Sequence, residues 1–156
     1  MICVRSGFRS KYRVRVLFDS SVIVAAFVAS HNRHQACTDW LDRAKTQRIQ
    51  GILSTHSLAE IYSVVTRLPV RPRINPDLAQ TLLNENLRSF EVVSLEVQDY
   101  RSAISRMVAL NLPGGGIFDA LIAQAAIKSS AEVLLTLNPK HFERLESTIA
   151  NLVEVP

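Results

Sequence analysis

Short β-branched runs alternate along this chain with longer stretches in which apolar residues return every three or four positions. Val14, Val16, Leu17 and Phe18 open the pattern and predict a strand over residues 14–18, which stops at Asp19-Ser20-Ser21. A short apolar helix over 22–28 is expected next. A longer helix over 31–47 follows, with Ala36, Cys37, Trp40, Leu41 and Ala44 at helical spacing. Residues 51–54 read as a second strand and 55–68 as a helix with Leu58, Ile61, Tyr62 and Val65 on one face and Glu60 opposite them. Pro69 and Pro72 forbid a regular element over 69–74. Asn75-Pro76 then starts a helix to about residue 88, with asparagine as cap and proline at the first helical position. A strand over 90–94, a helix over 95–110 and a break at Pro113-Gly114-Gly115-Gly116 come next, the glycines reading as flexible backbone. The remaining elements are a helix over 117–129, a strand over 132–136, a helical turn over 141–146 and an edge strand over 152–155.

Strands that alternate with helices need crossover connections, which produce a largely parallel sheet covered by helices on both faces. The pattern therefore predicts one α/β domain over residues 14–156, with no internal repeat and no linker. At 156 residues the chain is long enough to bury a core without disulfides, and 47% apolar residues exclude a disordered chain. No uncharged apolar run nears the ~20 residues of a membrane span. Cys3 and Cys37 fall in no metal-binding or redox spacing. A soluble protein of a reducing cytoplasm is expected.

The formal net charge of +4 invites a nucleic-acid reading until it is divided along the chain. Arg5, Arg9, Lys11, Arg13 and Arg15 come before any acid; setting those five aside from the 18 basic residues leaves 13 against 14 acids. The body is near neutral, so local clusters rather than global charge must speak for partners. Residues 1–13 read as a basic extension outside the domain: a solvated arm, an upstream extension of the frame, a transit-type leader, or an arm that touches RNA.

In an open α/β sheet, sites form beyond the carboxyl ends of the strands. Asp19 ends the first strand, Glu60 lies in the first turns of the helix after the second, Asp119 in the first turn of the helix after the glycines, and Asn138 just past the strand over 132–136. Each has an ordinary explanation. Asp19 suits a cap or turn, Ser57-Leu58-Ala59-Glu60 matches a capping box, Asp119 suits a helix dipole, and Asn138-Pro139 suits a strand end. Their shared location is the stronger signal. Other chemistries fail on the residues: there is no GxxxxGK[ST] loop, no GxGxxG, no GxSxG elbow, and His31-Asn32-Arg33-His34 lacks the HExxH arrangement. Clustered carboxylates repel one another unless a cation compensates, and hard oxygen donors select Mg²⁺ or Mn²⁺. Such a site suits phosphodiester hydrolysis. Arg67, Arg71 and Arg73, together with Lys140 and Arg144, are candidate contacts to a nucleic-acid backbone or simply a solvated surface.

The segment Leu17-Phe18-Asp19-Ser20-Ser21-Val22-Ile23 resembles the opening motif of PIN domains. Residues 58–67, Leu-Ala-Glu-Ile-Tyr-Ser-Val-Val-Thr-Arg, resemble their second motif. Phe118-Asp119-Ala120-Leu121-Ile122-Ala123, followed by Leu134 to Phe142, resembles the third and fourth. The resemblance runs from Val14 to Pro156. It implies a three-layer α/β/α ribonuclease domain dependent on Mg²⁺ or Mn²⁺, of the VapC-like toxin type, with an RNA substrate, a cognate antitoxin and a homodimeric state. Asp19, Glu60 and Asp119 match the three core acids, and Ser20, Ser21 and Thr136 match supporting polar positions. The fourth acid is usually an aspartate; here Asn138 stands in its place, with an oxygen to offer but no charge and no basicity. That departure leaves an RNA- or protein-binding module with weak or no catalysis as the alternative.

Overall fold

The structure, a computed structural model, describes residues 12–156. Most of the basic extension, including Cys3, lies outside the described residues. Arg15 belongs to the fold: its guanidinium donates to the Ser129 carbonyl at 2.9 Å and pairs with Glu91 at 2.9 Å.

Five strands, β1 (Arg15–Phe18), β2 (Gln50–Ser54), β3 (Glu91–Val93), β4 (Val133–Leu135) and β5 (Val153–Glu154), form one sheet in the order β3-β2-β1-β4-β5. Every pairing is parallel, with Leu17 opposite Ile52 on one side and Leu134 on the other. The mainly parallel sheet expected from the sequence is thus wholly parallel. Helices α1 (Ser20–Phe27), α2 (His34–Lys45), α3 (Thr55–Val65) and α4 (Pro76–Asn86) connect β1, β2 and β3. Helices α5 (Val97–Ala109) and α6 (Gly116–Lys128) carry the chain back across to β4, and α7 (Pro139–Glu143) and α8 (Ser147–Ala150) join β4 to β5.

Because successive strand residues face opposite sides of a sheet, the apolar runs of β1, β2 and β4 serve two cores. Val16, Phe18, Leu53 and Leu135 pack with Ile23, Leu41, Ile61 and other residues of α1–α4. Leu17, Ile52 and Leu134 pack with Met107, Ile122, Phe142 and Ile149 of α5–α8. Each fully buried aliphatic or aromatic side chain of this kind contributes about 1.5–3 kcal/mol against exposure. The Phe18 ring meets Phe90 edge-on, centroids 5.1 Å apart. A side chain at Gly51 would sit 2.7 Å from the same Phe90 ring and 2.9 Å from Ala44, so only glycine lets β2 pass there.

Several local readings shift. Asn75 caps α4 as expected, accepting from the Leu78 amide at 2.8 Å with Pro76 at the first helical position. The capping box read at Ser57–Glu60 does not form. Helix α3 starts at Thr55 as expected, because β2 runs straight into it, and Ser54 caps it by accepting from the His56 amide at 3.2 Å. Ser57 is then inside the first turn, buried, with its hydroxyl unpartnered. The second helix starts at His34 rather than residue 31, and His34 is fixed by a 3.0 Å contact between Nδ1 and the Ala25 carbonyl. The turn expected over 141–146 begins at Pro139, and α8 was not expected at all. The glycines are less slack than they read. Gly114 takes a left-handed turn at φ 72°, and Gly116 leaves room for the Arg144 guanidinium, which an added Cβ would meet at 2.7 Å. Among the described residues no helix is long and apolar enough to cross a membrane.

Candidate active site

The strand order reverses between β1 and β4: from β1 the chain winds outward to β3, then crosses back to β4 and β5. That switch point opens a crevice beyond the carboxyl ends of the two strands. α1 and α3 start directly after β1 and β2, and α6 finishes just before β4, so the first turns of all three face this edge. A cleft of about 480 Å³ lies there, lined by Asp19, Ser20, Ser21, Glu60, Asp119 and Asn138, with His31, Phe118 and His141. The topology thus brings together six of the residues singled out in the sequence, from β1, α1, α3, α6 and the start of α7.

Asp19 is the first residue past β1, and its amide still follows the sheet, donating to the Leu135 carbonyl at 2.9 Å. The side chain is 7% exposed. Its Oδ2 accepts from the Ser21 hydroxyl at 2.6 Å and from the buried Thr136 hydroxyl at 2.9 Å. Each hydroxyl in turn accepts a backbone amide: Ser21 from Leu137 at 3.1 Å and Thr136 from Asn138 at 3.0 Å. These bonds fix both hydroxyl hydrogens toward the carboxylate. Thr136 does not line the cleft; it sits beneath it as a support. Burial pushes the Asp19 carboxyl above its usual range, the Ser21 and Thr136 bonds pull it back, and the Glu60 charge adds to the rise.

Glu60 is reached from α1: the Ser20 hydroxyl donates to Oε2 at 2.8 Å. Its side chain stays 39% exposed, and His56 Nε2 stands 4.0 Å away, one helical turn earlier. Asp119 approaches from the first turn of α6. Its Oδ2 lies 3.4 Å from His141 Nδ1 and 3.8 Å from an Arg144 nitrogen. Burial raises its carboxyl, His141 lowers it, Asp19 raises it, Arg144 lowers it and Glu60 raises it. The mutual repulsion among the three acids is the electrostatic mark of a shared site.

The donor chemistry is that of a hard divalent cation: three carboxylates and one amide oxygen, two of the acids raised chiefly by burial. They do not yet converge. Among the described residues no three His, Cys, Asp or Glu side chains are gathered as a ready-made metal centre, and each acid is engaged by its own neighbours. Asn138 is exposed, and its side chain caps nothing.

Arg67, Arg71, Arg73 and Lys140 are exposed and none of them lines the cleft; Arg71 instead borders a separate, mostly apolar groove with Val28 and Leu78. His31, Phe118 and His141 were not selected from the sequence. For His141 a signal was present, since it follows Asn138 by three residues and so shares its helical face. Cys37 is buried within α2 with its thiol pushed up to about 11 by burial, which leaves it unreactive.

Comparison with known proteins agrees with this architecture. A family model described as the PIN domain matches residues 16–147. Ribonuclease VapC40 of Mycobacterium tuberculosis is 33% identical over 129 residues, 82% of this chain and 90% of its own. The solved structure of VapBC2 from Rickettsia felis bound to a promoter DNA fragment covers 90% of this chain and 97% of that one, with a TM-score of 0.64 at 23% identity. VapC20 of Mycobacterium tuberculosis, a Sarcin-Ricin loop cleaving toxin, covers 76% and 86% with a TM-score of 0.60 at 16% identity. At those identities the structural likeness is one of fold. With the match over residues 16–147 and a curated relative one-third identical along most of its length, the chain belongs to the PIN domain family.

Proposed function

We propose that this PIN domain is an endoribonuclease dependent on Mg²⁺ or Mn²⁺, the toxin of a toxin–antitoxin pair, and that Asp19, Glu60 and Asp119 hold the cation. The observation that carries the reading is that these three acids, 41 and 59 positions apart along the chain, line one cleft at the switch point. When bound, a divalent cation supplies charge at the phosphodiester and lowers the pKa of water for in-line attack. The chain supplies the rest. Ser21 and Thr136 hold Asp19 with its carboxylate in one orientation. Ser20 occupies one lobe of Glu60, whose half-exposed side chain keeps acceptor capacity to orient the attacking water. Asn138 positions water or phosphate through its amide. Arg144 and His141 stand beside Asp119 as positive or donor groups toward the RNA strand, with Lys140 and Arg67 as outlying phosphate contacts.

Asp19→Asn and Asp119→Asn each remove a charge while keeping size. Both are expected to lower single-turnover RNA cleavage by more than about a hundredfold, to reduce Mn²⁺ binding measured by calorimetry, and to relieve growth arrest on expression. Wild-type cleavage in both variants would overturn the assignment. The non-catalytic alternative is favoured by one pair of observations, the Asn138 replacement and the separate engagement of the acids. In that case the unmodified chain binds no Mn²⁺ in the same titration. The partners follow from the reading: an RNA substrate, a cognate antitoxin that co-purifies with the chain, and a homodimer measurable by sedimentation equilibrium.

A further inference from the structure

Among the described residues that line the cleft, Phe118 is the one Phe, Tyr or Trp. It precedes Asp119 directly, in the first turn of α6, yet it is 51% exposed. Its ring lies parallel to the His56 imidazole, with centroids 5.3 Å apart and planes 4° from coplanar. The stack joins α6 to the start of α3 and fixes the ring plane without burying it. An apolar ring half open to water in the same cleft as three carboxylates belongs to neither core, Ile117 and Ala120 making the core contacts of that turn. Carboxylates also repel an RNA backbone, so a substrate needs another source of binding energy at this spot. A flat π-face supplies it, because every nucleobase can stack on one regardless of sequence.

We infer that the Phe118–His56 stack is a nucleobase subsite, a platform that seats the base adjoining the scissile phosphodiester of single-stranded RNA. The inference rests on the nuclease reading and deepens it. Because ring and carboxylate share one helical turn, a base seated on Phe118 sets its own phosphate beside Asp119. Selectivity at this position comes from stacking strength rather than from base edges, so purines are favoured over pyrimidines.

The test pairs Phe118 variants with single-stranded RNA oligonucleotides in which one base at a time is removed. Phe118→Ala is expected to raise KM about tenfold with kcat little changed, Phe118→Leu to do the same, and Phe118→Trp to restore the wild-type value. Removing the base next to the cut is expected to penalise the wild type about tenfold and the alanine variant hardly at all. Equal penalties in both proteins, or a leucine variant as good as wild type, would overturn the subsite. A second arm needs no cleavage: 2-aminopurine placed in the oligonucleotide is quenched by the wild type and not by Phe118→Ala or Phe118→Leu. If the wild type cuts no RNA, the enzymatic reading fails, while quenching or its absence still decides the subsite. An alanine variant that quenches normally but no longer retains its antitoxin assigns the ring to protein docking instead.

Discussion

The two walls of the cleft carry an aspartate each, and they are built on different plans. Asp19 grows out of a strand end, is 7% exposed, and is held by two hydroxyls that are themselves held by backbone amides. Among the described residues, no Arg, Lys or His is one of its bonded partners. Asp119 rides on the first turn of a helix, with a side chain 24% exposed and with His141 and Arg144 at 3.4 and 3.8 Å. The strand wall holds its carboxylate by neutral donors that stay in place whatever binds. The helix wall holds its carboxylate by charge, which a cation or a phosphate competes for. One wall is held by neutral hydrogen bonds, the other by a guanidinium and an imidazole.

The comparison breaks most directly at Thr136. Thr136→Val keeps the shape, strips a donor from Asp19 and leaves the Asn138 amide without its acceptor. It is expected to weaken Mn²⁺ binding by about 10–100-fold and to cost about 1–3 kcal/mol of stability, read by calorimetry and denaturant unfolding. Arg144→Ala on the opposite wall is expected to act the other way. Loss of a positive neighbour frees Asp119, so Mn²⁺ affinity rises a few-fold, while RNA binding weakens and its salt dependence flattens. If both variants lose metal affinity alike, the two walls are not different in kind. Asn138→Asp sharpens the picture further: a fourth charge at the cleft rim is expected to raise Mn²⁺ affinity several-fold, and an unchanged titration would reduce Asn138 to a turn residue.

The smallest expected effect lies on the α5–α6 surface and serves as a control for the cleft. Asp99 Oδ2 takes a 2.8 Å bond from Lys128, and its carboxyl is lowered to about 2, first by that bond and then by the Glu96 amide. A lowered carboxyl stabilises the fold above the usual carboxylate range, near 3.9 in an unfolded chain, and its contribution is lost as pH falls through about 2. Lys128 is raised by the same partner, so its share persists through neutral pH. Asp99→Asn is therefore expected to flatten the dependence of melting temperature on pH between 5 and 2 and to leave cleavage at neutral pH unchanged.

Much of the frame was legible because strand and helix periods are local. The apolar runs at 16–18, 52–53 and 133–135 announce strands buried on both faces, and their alternation assigns Phe18 and Leu17 to opposite cores without further information. The three acids were legible for a topological reason: each follows a strand or opens a helix, and parallel sheets send those positions to one edge. The cap of α3 was misread because Ser54 and Ser57 both suit it, and only the tight passage from β2 into the helix decides between them. The Phe118–His56 stack joins elements distant in the chain, and no pattern within either element reports such a meeting. The five cations read as RNA contacts were chosen for proximity in sequence; Arg144 comes to stand beside Asp119, whereas the loop after α3 carries Arg71 away to another groove.

The Asp19 amide bonded to the Leu135 carbonyl places Phe18 opposite Leu135 in the β1–β4 ladder. Strand residues alternate sides, so inserting or deleting a single codon within either strand would turn the Thr136 hydroxyl away from Asp19. The lengths of these two short segments are therefore constrained as tightly as their letters.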